Sequence, residues 1–123
     1  MKNQVTLKNG IVYIMVSGDQ TEQSVLAMGS EVRKLLAELK KDGKPLLVLD
    51  DITKLGNTDI AARKTVVELA KNLPYRRAAM LGDGSVLMRV GTNLLLRAMG
   101  KGDAVRYFED RTKALQWLTS VVE

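Results

Sequence analysis

The sequence predicts an α/β fold, a single domain over residues 1–123 in which a mixed β-sheet is packed with four helices. Three observations lead there. The run Pro45-Leu46-Leu47-Val48-Leu49 carries no polar side chain and is followed at once by Asp50 and Asp51, the pattern of a central strand buried on both faces. Asn9-Gly10 separates two apolar-rich stretches, the strongest short signal for a two-residue hairpin. From residue 21 onward, apolar residues recur at spacings of three and four, the mark of a helix with one buried stripe.

In chain order, residues 4–8 and 11–17 form an antiparallel hairpin closed by Ser17-Gly18-Asp19. A helix follows over 21–42, its stripe built from Val25, Met28, Val32, Leu35, Leu36 and Leu39. Asp19 or Thr21 can cap its start, and Lys40, Lys41 and Gly43 stop it. The central strand opens at Pro45, whose missing N–H suits a strand's first residue. Residues 52–59 read as a loop, and a helix over 59–72 buries Ala62, Val66, Leu69 and Leu73, with Asn57 or Thr58 as cap. Arg77–Leu81 is a second short strand, closed by Gly82-Asp83-Gly84-Ser85. A third helix, 86–99, is apolar over much of its circumference. Residues 104–108 form the last strand. A closing helix over 110–122 turns Ala114, Leu115, Trp117, Leu118 and Val121 inward. The order is β-β-α-β-α-β-α-β-α, with right-handed crossovers expected wherever parallel strands are joined.

Composition narrows function by exclusion. With 123 residues the chain fits one domain. It contains neither Cys nor His, which removes disulfides, thiolate chemistry, the commonest general base and the commonest metal ligand. Net charge is +5, but the basic residues are spread among acids, with only one Trp, three Tyr and one Phe. Nucleic-acid binders more often cluster basic residues or interleave them with aromatics, so no nucleic acid is expected. The N-terminus lacks the apolar core of a secretory signal, and no window is long and apolar enough for a transmembrane segment. A cytoplasmic protein with no cofactor and no metal is the expectation.

Taken together, Val48-Leu49-Asp50 before a loop and helix, Tyr75-Arg76-Arg77-Ala78-Ala79 entering the next strand, and Val105-Arg106-Tyr107-Phe108-Glu109-Asp110 with Ala114-Leu115-Gln116-Trp117-Leu118 resemble the SpoIIAA-like branch of the STAS superfamily. These are the sulfate-transporter and anti-sigma-factor-antagonist modules, and this branch is also grouped with the lipid-binding CRAL-TRIO fold. The resemblance spans nearly the whole chain and implies a regulatory or protein-interaction module that is not an enzyme. In the antagonists, a serine at the start of the helix after the central strand is phosphorylated, and that region binds a partner kinase. The equivalent stretch here, Gly56-Asn57-Thr58-Asp59-Ile60, holds no serine. Thr58 is its sole hydroxyl, and a plain helix cap is its simpler role.

The candidate partner-binding or regulatory residues are therefore Asp50, Asp51, Asn57, Thr58 and Asp59. Paired carboxylates at a strand end could also serve acid–base work or a metal, but adjacent strand residues point to opposite faces and converge only if the strand has ended. Gly82-Asp83-Gly84-Ser85 matches neither a dinucleotide-binding fingerprint nor a P-loop. It reads as a turn ending in a Ser85 cap, and Arg76 and Arg77 as a solvated strand entry.

The third helix has more apolar surface than one face against a sheet requires. Met88, Leu94, Leu95 and Met99 are candidates for a homodimer surface or for a wall around an apolar ligand. Arg89 and Arg97 could meet anionic head groups in a peripheral membrane contact. Self-association is the default. The alternative is a carrier or sensor of a lipid or other apolar ligand held under residues 86–99.

Overall fold

The structure, a computed structural model, describes residues 2–121. Among them, five strands form one sheet in the order β1-β2-β3-β4-β5: β1 Gln4–Lys8, β2 Ile11–Gln20, β3 Leu47–Thr58, β4 Arg77–Leu81 and β5 Val105–Phe108. Four α-helices accompany them: α1 Glu22–Lys41, α2 Ile60–Asn72, α3 Val86–Met99 and α4 Arg111–Thr119. β1 and β2 are antiparallel, with Asn9 (φ 53°) and Gly10 (φ 78°) making the turn, as a primed hairpin turn requires. Every later pairing is parallel.

Strand order fixes the layers. β2, β3, β4 and β5 are laid down one after another in the same direction across the sheet. Connections of one hand must then place α1, α2 and α3 on one face. α1 rests on β1 and β2, α3 on β5, and α2 packs between its two neighbours. α4 follows the last strand and returns over the other face, against β3, β4 and β5. Two cores result. Val12, Ile14, Val16, Val48, Ile52, Ala78, Met80 and Val105 meet the three helices, while Leu47, Leu49 and Ala79 meet Ala114 and Leu118 of α4.

Several predicted boundaries shift. β2 does not stop at Ser17 but runs to Gln20, and β3 does not end at Asp51 but continues to Thr58. The expected loop 52–59 is thus largely strand. Its partner is the outer part of β2, through register shifts between Met15 and Ser17 and between Gly18 and Gln20. Pro45 precedes the strand by two residues. α1 is capped by Thr21, whose Oγ1 accepts from the Ser24 N–H at 3.2 Å while Ser24 Oγ accepts from the Thr21 N–H at 2.9 Å. β4 and α3 coincide with their predicted spans. α4 starts after an Asp110 cap and ends at Thr119; the predicted end of this helix at Val122 lies outside the described residues. α1 and α2 approach closely at the buried Gly29, where a Cβ would meet Leu69 Cδ1 at 2.7 Å.

Candidate functional site

The candidate site is a ribbon standing off the sheet. Beyond Asp51 and Met15, β2 and β3 keep pairing, with Ser17 opposite Lys54, Gly18 opposite Leu55 and Gln20 opposite Thr58. Polar side chains secure it. The buried Gln20 donates through Nε2 to the Ser17 carbonyl at 3.1 Å and to Asn3 Oδ1 at 3.1 Å, and accepts from Asn3 Nδ2 at 2.8 Å. Asp19, predicted as a helix cap, instead accepts from the Asn57 N–H at 2.7 Å. That contact dictates Gly56, because a Cβ there would collide with Asp19 Oδ1.

At the tip, Asn57 is exposed and Thr58 half-buried in the ladder. The cap of α2 is neither of them. It is Asp59, whose Oδ1 accepts from the Ala62 N–H at 2.7 Å. The carboxylate lies at the positive end of the helix dipole, as a short acidic cap should. Ile60, next in sequence, is 73 % exposed. The tip therefore presents amide, hydroxyl, carboxylate and a bare isoleucine within four consecutive residues.

Asp50 and Asp51 do not share a site. The strand continues through both, so they leave opposite faces of the sheet. Asp51 lies beside Leu81 on the α4 side and is buried. It accepts from the Thr53 N–H at 2.9 Å, from Thr53 Oγ1 at 2.6 Å and from Arg111 Nη2 at 3.1 Å. Its chemistry is structural, joining the start of α4 to the central strand. Asp50 lies between Ile14 and Met80 on the three-helix side. The residue keeps some solvent exposure, but its Oδ1 is sealed and has no hydrogen-bond partner among the described residues. Burial, reinforced by the neighbouring charge of Asp51, pushes its carboxyl up to about 7. Among the described residues no group of three or more acidic side chains is arranged to hold a metal.

The third helix divides differently from the sequence reading. Met99 is buried, and Met88 and Leu95 pack half-buried against the main core. These three do not form an outward surface. The exposed apolar side chains are Val86, Leu87, Val90 and Leu94, at 71, 86, 53 and 61 %, so Leu94 alone of the four candidates faces out. Arg89 is engaged by Glu109 through two hydrogen bonds of 3.0 Å. Two open grooves lie elsewhere. One of about 560 Å³ runs past Leu7, Asn9, Lys44, Pro45 and Val121 at the hairpin end, and one of about 320 Å³ lies beside Arg89, Tyr107 and Lys113. Gly82-Asp83-Gly84-Ser85 is the expected turn, with Ser85 Oγ accepting from the Met88 N–H at 3.2 Å. Ser85's amide hydrogen bond holds the Asp83 carboxyl below its ordinary range.

Comparison with known proteins decides the family. The model of the SpoIIAA-like family matches residues 11–119. The chain belongs to that family. No curated protein matches this SpoIIAA-like chain, but solved structures do. A protein of SpoIIAA-like fold from Shewanella loihica superposes with a TM-score of 0.68 at 21 % identity, covering 94 % of this chain and 91 % of that one. The anti-sigma factor antagonist SpoIIAA in its unphosphorylated form gives 0.59 at 14 %, covering 97 % and 99 %. An anti-sigma factor antagonist from Mycobacterium paratuberculosis gives 0.65 at 13 %, covering 96 % and 93 %. At these identities the likeness establishes the SpoIIAA-like mixed α/β fold. No helix among the described residues is long and apolar enough to cross a membrane.

Proposed function

We propose that this SpoIIAA-like chain is a non-enzymatic regulatory module that acts by docking another protein on the ribbon tip and the start of α2. Asn57, Thr58 and Asp59 form the contact, and Asp50 and Asp51 support it from within the sheet. The observation that carries this reading is Ile60, 73 % exposed beside the Asp59 cap, at the stretch where antagonists of this fold engage their partner. Two of the structural neighbours are anti-sigma factor antagonists, which supports a regulatory partner. The surface is constitutive in this reading: the helix cap is already a carboxylate, and Thr58 is held opposite Gln20 in the strand. The protein works in the cytoplasm as one domain, without cofactor. The test is recovery of a protein partner with tagged chain from its own cells. Ile60→Asp and Asn57→Lys should abolish recovery while leaving the fold intact by circular dichroism, and undiminished recovery with both would refute the assignment.

A second reading rests on α3. Its four exposed apolar side chains favour self-association through that helix. The methionine-rich underside, with Met80, Met88 and Met99 in one cluster, would suit an apolar ligand admitted by movement of the helix.

A further inference from the structure

Three stretches that the proposed contact leaves unused meet on the α4 face of the sheet. Arg77 opens β4, Arg106 lies in β5 beside Ala79, and Trp117 belongs to α4. The two guanidinium carbons stand 4.8 and 5.3 Å from the centre of the same indole ring, and Phe108 adds a second ring 5.6 Å from it. Arginine stacks on aromatic faces in this way. Arg77, expected as a solvated strand entry, is half-buried and fixed. Its Nη1 donates to the Trp117 carbonyl at 2.7 Å and to Ser120 Oγ at 2.8 Å, at the negative end of the α4 dipole. Arg106 is exposed, and the indole is its only partner among the described residues.

These charges are not balanced locally. Of the acids that follow β5, Glu109 is held by Arg89 and Asp110 caps α4 through the Lys113 N–H at 3.1 Å. Among the described residues no carboxylate reaches Arg77 or Arg106. Two like charges held on one ring repel, and an anion at the ring offsets that repulsion. Donors stand ready for it: Arg77 keeps its Nε and Nη2 hydrogens, and Arg106 keeps its whole fork, suited to carboxylates. Neither open groove is lined by Arg77, Arg106 or Trp117, so this is an open surface. β5 is also the last strand of the sheet. The Phe108 carbonyl points to β4, accepting from the Gly82 N–H at 2.9 Å, so by alternation the Val105 and Tyr107 main chain faces the open edge.

We infer that Arg77 and Arg106, stacked on Trp117, form a recognition site for an acidic, extended segment of a partner protein, laid along β5 with its carboxylates on the two guanidiniums. A lone anion on an open surface gains little, because an exposed ion pair is weak by itself. An extended chain brings several carboxylates together with main-chain groups that pair with a strand edge. The net charge of +5 draws such a segment in. The site uses β4, β5 and α4 and none of Asn57, Thr58, Asp59 or Ile60, so it does not depend on the ribbon-tip assignment.

Trp117 is the chain's one tryptophan, so its fluorescence reads the site directly. Titrating the full chain with a short polyglutamate peptide at low salt should shift its emission saturably. Arg106→Gln, at an exposed position, should weaken that binding about tenfold. Lys34→Gln, which removes the same charge from the exposed side of α1, and Ile60→Asp at the ribbon tip should leave it nearly unchanged. The absence of a saturable shift, or an equal loss in Lys34→Gln, overturns the inference. So does an equal shift from inorganic phosphate at matched ionic strength, which marks a small-anion site. Should Arg106→Gln fail to fold, NMR of the native chain decides. The Trp117 indole N–H and the Arg106 Nε–H should move together along one titration curve, and an Arg106 signal that ignores the peptide overturns the site.

Discussion

Breaking the Asp51–Arg111 tie separates a structural carboxylate from a partner-binding one. Asp51 is buried and makes three hydrogen bonds, two of them to Thr53, while the Arg111 side chain is 48 % exposed. Arg111→Ala leaves both Thr53 bonds in place and removes a pair open to solvent on one side, so it should cost only about 1 kcal/mol. Asp51→Ala strips the Thr53 amide and hydroxyl of their acceptor as well. Each hydrogen bond to a charged acceptor contributes about 1.5–3 kcal/mol, so the two Thr53 bonds at the low end of that range and the arginine pair together should cost about 4 kcal/mol, with the stranded arginine free to find water. Urea unfolding of the two single variants and the double variant completes a cycle with a coupling of about 1 kcal/mol. An Asp51→Ala cost no larger than that of Arg111→Ala would refute the hydrogen-bond accounting. It would also return Asp51 to the list of residues free to serve a partner.

Three further outcomes follow from the geometry. The carboxyl of Asp50 is raised from 3.8 to about 7, so the folded state holds a proton that the unfolded state has lost between those values. Stability therefore falls as pH rises through that window and levels off above it; relative to wild type, Asp50→Asn should gain about 4 kcal/mol between pH 4 and pH 8, read by chemical denaturation, and parallel pH profiles would contradict this. Asp59→Ala removes the α2 cap and should cost about 1 kcal/mol, with a matching drop in thermal midpoint. Leu94→Asp should convert any dimer to monomer in sedimentation velocity without loss of stability, since Leu94 is 61 % exposed, whereas Leu95→Asp should unfold the chain from within.

The periodicity of the chain carried most of the architecture. Five short apolar or alternating runs and four helical stripes placed every strand and α-helix, because each sequence period matches one backbone geometry. The ribbon was hidden for a physical reason: Ile52-Thr53-Lys54-Leu55-Gly56-Asn57 mixes polar residues with glycine and looks like loop, and its strand character comes from pairing with β2 through two register shifts. Such pairing is a tertiary fact that no local window contains. The same extension sent Asp50 and Asp51 to opposite faces and moved the α2 cap to Asp59. On α3, the apolar excess was legible but its direction was not. Met88, Leu95 and Met99 face the core, while Val86, Leu87 and Val90 face outward. Orientation about a helix axis is decided by its neighbours, and composition is silent on it.

The most direct test of the docking assignment is site-specific photo-cross-linking in the cells the protein comes from, with a photoreactive residue at Ile60 and, as control, at the exposed Glu31 on α1. Docking on the ribbon tip predicts one discrete adduct from Ile60, none from Glu31, and loss of the Ile60 adduct when Asn57→Lys is added. An adduct that survives Asn57→Lys, or that arises from Leu87 on α3 and not from Ile60, would contradict it.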